Sequence, residues 1–259
     1  MDFNELIREK FINIYNIDLS VSKNINIKNM IFPNYFNQKV LNLNYENDYR
    51  AFEYCRIINK IFGFGKLSYY EIPEAKIEKN DIIFDCGANT GIFALYSAYK
   101  GKIVYAFEPS TLARHYLRHT QKYNQNIIIV PYGLSNENKK EYFNQADNPG
   151  ASRLEEFKMP EYHKILYREK VDLLTIDYFV KMTGIVPDFI KMDIENGEMA
   201  ALEGAIKTLK QYHPKCSISI HEDNIKNLEY IKSLFPFGYK FYIKEAEFYD
   251  TVLIGVYNE

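Results

Sequence analysis

Short apolar runs alternate with longer amphipathic stretches from residue 81 to the end of the chain. The runs have the length of buried strands, whereas the stretches between them repeat their apolar residues at helical spacing. This alternation predicts an α/β fold built on a doubly wound, mainly parallel sheet of seven strands. The clearest predicted strands are 81–86, 103–108, 126–132, 187–193 and 215–222, followed by YKFYIKE and TVLIGVYN at the C-terminal end.

The predicted helices lie between these strands, at about 91–100, 111–123, 198–210 and 225–235. Thr175 has the side chain of a helix N-cap and predicts a further short helix after it. The last two strands have no helix between them, so they predict a C-terminal antiparallel hairpin joined near residues 247–250. The polar stretch 135–170 shows no clear period, and its strand content stays open.

Composition excludes several classes of function. A formal net charge of −2, without a dense Lys/Arg block, disfavours nucleic-acid binding through phosphate neutralisation. Cys55, Cys86 and Cys216 are far apart in the chain, without the paired spacing of a metal site, and predict reduced thiols in a cytoplasmic protein. The N-terminus does not resemble a signal peptide, and no apolar run has the length of a spanning helix.

Residues 81–110 carry the most informative chemistry. A strand delivers Asp85 to a turn containing Gly87 and Gly91, and the next strand ends at Glu108. An acid at that second position binds the ribose hydroxyls of a nucleoside cofactor in doubly wound folds. The turn lacks both the third glycine of a dinucleotide site and the Gly-Lys-Ser/Thr of a P-loop. Asp85 would repel a pyrophosphate, but it suits a cationic ligand that carries an ammonium and a sulfonium.

The motif D-x-G-A-N-x-G, followed by an acid after the second strand, resembles the S-adenosylmethionine site of Rossmann-like methyltransferases. Over roughly 80–225 the chain resembles the FkbM family of these enzymes more specifically. One departure from the family pattern is Asn196, which is inserted before the expected glycine. The segments that carry the resemblance are FDCGANTGIFAL, AFEPS, GLS at 133–135, TIDYF and FIKMDIENGEMAALEGA at 189–205.

The resemblance implies a cofactor site for S-adenosylmethionine. Glu108 would hold both ribose hydroxyls, and Ser110 would form the neighbouring wall. Leu134 and Ser135, just past the third strand, would border the adenine. The methionine end of the cofactor would lie against the turn, which contributes Asp85, Gly87, Asn89, Thr90 and Gly91.

Methyl transfer to an alcohol also needs a group that takes the acceptor's proton. Asp193, Glu195 and His221 follow predicted strands at the cofactor edge and are the candidate catalytic residues. Each has a structural alternative: Asp193 as a helix cap, Glu195 as an acid near a helix N-terminus, and His221 as polar surface. With Glu222 and Asp223 they could instead hold Mg²⁺, but they lack rigid ligand spacing, and no metal is predicted.

These observations predict an S-adenosylmethionine-dependent O-methyltransferase of a sugar, a glycan precursor such as one for capsule polysaccharide, or a small metabolite. Ser152 and Arg153, in the loop 150–156, are plausible acceptor contacts or parts of a turn. The alternatives are an NAD-dependent sugar oxidoreductase, which shares the acid at the second strand, and a non-catalytic binding module of the same fold.

Two domains are predicted, with residues 1–79 as an N-terminal extension and residues 80–259 as the Rossmann-like methyltransferase domain. The segment 45–65 has the apolar spacing of a helix that ends near Gly63. The extension would face the substrate, packing over the cofactor mouth or joining two chains in a homodimer. A helix that only covers one sheet edge is an equal alternative.

Overall fold

The computed structural model describes residues 68–147, 149–221, 225–246 and 249–258. The chain divides into two compact units, and the second of them, Tyr70–Glu259, contains the alternating strands and helices. The predicted helix at 45–65 and Cys55 lie outside the described residues, as do Glu222 and Asp223. The predicted substrate-facing role and dimer contact of the extension therefore stay predictions.

This unit contains eleven named strands and six α-helices within the described residues. In chain order they are β1 (Ile82–Cys86), α1 (Ile92–Lys100), β2 (Ile103–Phe107), α2 (Thr111–Gln121), β3 (Ile127–Val130), β4 (Gly133–Leu134), β5 (Lys139–Ala146), β6 (Arg153–Leu154), β7 (Ile165–Leu174), α3 (Ile176–Thr183), β8 (Phe189–Met192), α4 (Glu198–Glu203), α5 (Ile206–Tyr212), β9 (Lys215–Ile220), α6 (Leu228–Ser233), β10 (Tyr239–Ala246) and β11 (Tyr249–Tyr257).

The main sheet has seven strands in the order β10-β11-β9-β8-β1-β2-β3. Strands β9, β8, β1, β2 and β3 are parallel, whereas β11 runs antiparallel to both β9 and β10. The predicted fold class is confirmed, including the C-terminal antiparallel hairpin. Because β1 lies between β2 and β8, the turn after β1 is flanked by the ends of both neighbours, where ligands bind in such sheets.

One apolar core lies on one face of this sheet. Phe84, Phe107 and Phe179 pack edge to face there, with ring centroids 5.0–5.4 Å apart. The residues of β1 and β8 on either side of these core positions point to the opposite face, because side chains alternate along a strand. That second face carries Asp85 and Lys191, which are aligned in register on adjacent strands.

A second sheet, in the order β4-β7-β5-β6, occupies the segment whose residues show no clear period. Most of β7 is exposed, including the apolar side chains of Ile165 and Leu166, so its apolar residues do not alternate with polar ones. The sheet has a small apolar core of its own, formed by Phe143, Leu154, Val171 and Leu173.

The helix predicted over 198–210 is two short helices, α4 and α5, separated at Gly204. A Cβ atom on Gly204 would lie 2.2 Å from the backbone oxygen of Ser135, so the chain there packs directly against the end of β4. The predicted N-cap is confirmed, since Thr175 Oγ1 accepts a 2.9 Å hydrogen bond from the backbone N–H of Tyr178. The helix predicted over 225–235 is shorter, as α6.

No helix among the described residues is long and apolar enough to cross a membrane.

Candidate active site

The turn between β1 and α1 adopts left-handed backbone conformations. Gly87, Asn89 and Gly91 have φ angles of 78°, 49° and 86°, which are accessible to glycine and tolerated by asparagine. The backbone N–H groups of Gly87 and Ala88 both donate to the carbonyl of Phe107, at 3.0 Å. The turn is therefore fixed to the end of β2, while Gly87 and Asn89 stay partly exposed at the sheet edge.

Gly87 also lies against the residue that follows β8. A Cβ atom built on Gly87 would be 2.0 Å from the backbone oxygen of Asp193 and 2.9 Å from Ile194 Cγ2. The backbone N–H of Asp193 in turn donates to the carbonyl of Cys86 at 3.0 Å. This close approach brings the glycine turn and Asp193 together at one edge of the sheet.

Replacing Gly87 by Ala is expected to lower the free energy of unfolding by about 2–5 kcal/mol, because backbone strain and a backbone clash add up. Gly184→Ala is the matched control, since Gly184 has a φ of +70° but no atom within 4 Å of a built Cβ. Its expected cost is only the strain, about 1–2 kcal/mol. Urea denaturation of both variants measures the difference, and equal losses would contradict the clash.

Glu108 follows β2 directly and is 5% exposed. Its Oε2 accepts from the backbone N–H of Asn89, and its Oε1 accepts from that of Ser110, both at 2.8 Å. Burial raises the pKa of Glu108 to about 7, although these two hydrogen bonds and Arg114 act to lower it. Each carboxylate oxygen keeps a lone pair beyond its backbone donor, so the group can accept from two hydroxyls.

Ser110 and Thr90 support the positions of these residues. The Ser110 hydroxyl caps α2 by accepting from the N–H of Ala113 at 3.1 Å, and it donates to Gln145 Oε1 at 2.8 Å. The carbonyl of Thr90 accepts from the hydroxyl of Thr120 at 2.6 Å. Both predicted site residues are buried, and their side chains lie within the fold beside Glu108 and the turn.

Asp85 is fully buried and ion-paired within the chain. Lys191 Nζ lies 3.1 Å from Asp85 Oδ1, and it donates to the carbonyl of Gly87 at 2.9 Å. Burial raises the pKa of Asp85, and the Lys191 charge partly opposes this shift. Burial acts to lower the pKa of Lys191, but the charges of Asp85, Tyr70 and Asp193 together outweigh it and the pKa is raised.

The prediction that Asp85 meets a cationic ligand did not include this partner. Lys191 is the one charged residue in the apolar run FIKM. A lysine inside a buried strand was the sequence signal that pointed to a buried partner. Its partner could not be read from the sequence, because the register of β1 on β8 decides it.

Asp193 and His221, two of the candidate catalytic residues, lie at adjacent strand ends. His221 Nε2 is 3.4 Å from Asp193 Oδ1 and 3.3 Å from Oε1 of the buried Glu198. Asp193 Oδ2 accepts from the hydroxyl of Tyr70 at 2.6 Å. Asp193 does not cap the following helix, whose N-cap is Gly197. Tyr70 precedes the predicted domain boundary, and sequence reasoning did not identify it.

Glu195, the third candidate, lies in the turn between β8 and α4 rather than in the first helical turn. It and Asn196 have positive φ angles of 57° and 81°. Glu195 Oε2 is 2.6 Å from the guanidinium of Arg153, which is 6% exposed and extends from the second sheet. The predicted loop residue Arg153 is thus brought next to the candidate catalytic cluster, which we define as Asp193, Glu195 and His221.

Leu134 and Ser135 lie at the end of β4, where the second sheet joins the main one. Leu134 is part of the apolar core that contains Phe84 and Phe107. Ser135 is buried, and its backbone N–H donates to the carbonyl of Leu174 at 3.1 Å. Their predicted place beside the adenine stays a prediction.

The turn, the acid after β2 and the cluster after β8 and β9 thus share the carboxyl edge of the main sheet. Comparison with known families gives a match to the methyltransferase FkbM domain over residues 85–241. The chain belongs to the FkbM methyltransferase family. The resemblance carried by the sequence motifs is confirmed, and the match includes Asp85, Glu108 and all three residues of the candidate catalytic cluster.

Solved structures contain the same fold. The crystal structure of the methyltransferase FkbM from Methylobacillus flagellatus KT superposes with a TM-score of 0.52 at 20% identity. The alignment covers 81% of this chain and 55% of that one, so this chain spans about half of that protein's length. At 20% identity, this similarity shows only that the two proteins share a fold.

One curated relative also matches, an uncharacterized protein from Methanocaldococcus jannaschii. It is 36% identical over 70 residues, which are 26% of this chain and 27% of the relative. The aligned part is about a quarter of each protein.

Proposed function

We propose that this protein is an S-adenosylmethionine-dependent O-methyltransferase that acts on a hydroxyl of a sugar, a glycan precursor or a small metabolite. Family membership supports methyl transfer. The observation that supports a nucleoside cofactor best is the Glu108 carboxylate, which backbone donors hold by both oxygens beside the glycine turn. A carboxylate in this position is suited to accept the two ribose hydroxyls.

The proposed site differs from the sequence-based assignment at Asp85. Because Lys191 neutralises Asp85, we assign this pair to shaping the turn, through the bond from Lys191 to the carbonyl of Gly87. The partly exposed backbone of Gly87 and Asn89 would then face the methionine end of the cofactor. Ser110 would act through Glu108, whose Oε1 its N–H holds.

In the reaction, a lone pair of the acceptor oxygen attacks the methyl carbon in line with the carbon–sulfur bond. That bond breaks, its electron pair stays on sulfur, and the sulfonium becomes the neutral thioether of S-adenosylhomocysteine. The acceptor oxygen also loses its proton. We propose that this loss takes place at the cluster of Asp193, Glu195 and His221, which adjoins the turn through the contact of Gly87 with Asp193.

The acceptor would enter from the side of the second sheet, where Arg153 holds Glu195. The partly exposed Glu195 carboxylate and the Arg153 guanidinium offer an acceptor and a donor to the hydroxyls of the substrate. This pair is the reason for preferring an acceptor with several hydroxyls, such as a sugar. The N-terminal extension, residues 1–79, would contribute to the choice of substrate.

Calorimetry with S-adenosylmethionine, S-adenosylhomocysteine and NAD⁺ tests the proposal and its rival. We expect micromolar binding of the first two and none of NAD⁺, and we expect affinity for S-adenosylhomocysteine to fall about tenfold between pH 8 and pH 6. The pH effect follows because ribose hydroxyls donate to the charged carboxylate, while Glu108 with a pKa of about 7 is mostly protonated at pH 6.

Glu108→Gln is the control for this pH dependence, because its amide does not titrate. It should bind more weakly than the wild type at pH 8, and its own affinity should change less between the two pH values. Binding of NAD⁺ without either sulfur compound would instead support a sugar oxidoreductase. An equal pH slope in both proteins would refute the assignment of the ribose contact to Glu108.

A further inference from the structure

The catalytic cluster has the spacing of ligands around one cation. Asp193, Glu195 and His221 can each offer one ligand atom, and these atoms all lie within 4.8 Å of one another. Two atoms each bound at about 2.1 Å are about 3.0 Å apart at an octahedral angle and about 3.4 Å apart at a tetrahedral angle. The separation of His221 Nε2 from Asp193 Oδ1 is 3.4 Å.

Donors outside the cluster orient both carboxylates. The hydroxyl of Tyr70 donates to Asp193 Oδ2, and the guanidinium of Arg153 donates to Glu195 Oε2, both at 2.6 Å. Tyr70 and Arg153 are themselves buried, at 3% and 6% exposed. Outer partners of this kind fix the direction of metal-ligating side chains, and here each holds one oxygen of its carboxylate.

The local charge also favours a cation. Glu198 is fully buried and brings its Oε1 within 3.3 Å of His221 Nε2. Among the described residues, Asp193 and Glu198 lie within 3.4 Å of this imidazole, and Glu195 is the third acid of the group. The nearby cations are Arg153, which pairs with Glu195, and Lys191, whose charge also acts on Asp193. A divalent ion bound between Asp193, Glu195 and His221 would offset the excess negative charge.

We propose that Asp193, Glu195 and His221 bind one divalent transition-metal cation such as Mn²⁺. Two carboxylate oxygens and an imidazole nitrogen suit such an ion better than Mg²⁺, which favours oxygen ligands only. Three protein ligands leave coordination positions open.

The role of the ion rests on the proposed function. An open position binds the acceptor's hydroxyl oxygen and favours its loss of a proton, which is released to water. The oxygen then attacks the methyl carbon, and the carbon–sulfur electron pair leaves with sulfur as before. The ion is neither oxidised nor reduced.

Titration of the full chain with Mn²⁺ alone tests the site without acceptor or cofactor. Calorimetry and the loss of the electron paramagnetic resonance signal of free Mn²⁺ should show one site with a Kd below about 1 mM. Asp193→Asn, Glu195→Gln and His221→Gln should each weaken binding at least about tenfold. The matched control is His163→Gln, which breaks another His–Asp pair, with His163 Nδ1 3.1 Å from Asp147 Oδ1, and should leave Mn²⁺ binding unchanged.

Binding of S-adenosylhomocysteine to the same preparations, in the presence of chelator, separates this inference from the proposed function. If the protein binds S-adenosylhomocysteine but does not bind Mn²⁺ with a Kd below about 1 mM, the proposed metal site is wrong. The proton of the acceptor would then pass directly to a residue of the cluster. Mn²⁺ binding that His221→Gln does not weaken would also overturn it. Mn²⁺ binding lost in the three variants, without S-adenosylhomocysteine binding, would support the site and count against the methyltransferase cofactor.

Discussion

Replacing Glu108 by Ala is expected to weaken binding of S-adenosylhomocysteine by about 100-fold or more. Two hydrogen bonds to a charged acceptor contribute about 1.5–3 kcal/mol each, and the substitution removes both proposed ribose contacts. It also frees the backbone N–H groups of Asn89 and Ser110, which the carboxylate holds at 2.8 Å. Calorimetry at pH 8, where Glu108 is mostly charged in the wild type, measures the loss.

Glu169→Ala is the matched control for this substitution. Glu169 contacts Thr111, the first residue of α2. Its carboxylate accepts from the backbone N–H of Thr111 at 2.9 Å and from the Thr111 hydroxyl at 2.6 Å. Removing it disturbs a similar local contact without touching the proposed ribose site, so affinity should stay within about twofold of the wild type. A comparable loss of affinity in both variants would mean that Glu108 acts by positioning the N-terminus of α2 and not by contacting the cofactor.

Lys191→Met is expected to lower the free energy of unfolding by about 3–5 kcal/mol, because it leaves Asp85 without its counter-charge in a fully buried position. Cofactor affinity should fall as well, since the bond to the carbonyl of Gly87 is lost. The double variant Lys191→Met with Asp85→Asn removes both charges, and it should recover most of the stability. Urea denaturation and calorimetry on the same samples measure the two effects.

Lys140→Met is the control, because Lys140 makes a 3.2 Å ion pair with Asp172 in which both side chains are exposed. Water remains available to Asp172, so the expected loss is about 1 kcal/mol or less. A double variant that is no more stable than Lys191→Met would show that the two residues do not act as a pair.

The main sheet was predictable because its strands are short apolar runs set between amphipathic helices, and each is delimited by turn residues. The second sheet was not, because its longest strand exposes apolar residues such as Ile165 and Leu166 to solvent. Exposed strands of this kind lack the alternation that periodicity detects. The break between α4 and α5 was missed for another reason, since it lies where Gly204 approaches Ser135, which is distant in sequence.

At the site, the sequence identified residues whose motif position is local, such as Glu108 after β2. It did not identify partners that come from distant segments, namely Lys191 for Asp85 and Tyr70 for Asp193. These pairings depend on strand register and on how the chain packs against the sheet edge. A motif therefore predicted which groups lie near the cofactor, but not which of them are already neutralised within the protein.

The buried ion pair of Asp85 and Lys191 affects how the chain folds during its synthesis. Lys191 meets the strand that carries Asp85 across a separation of more than 100 residues, whereas the second sheet pairs strands close in sequence. At about 5–20 residues per second of synthesis, Lys191 follows Asp85 out of the ribosome by roughly 5–20 s. Throughout that interval Asp85 stays hydrated, and the glycine turn takes its final shape only after β8 has emerged.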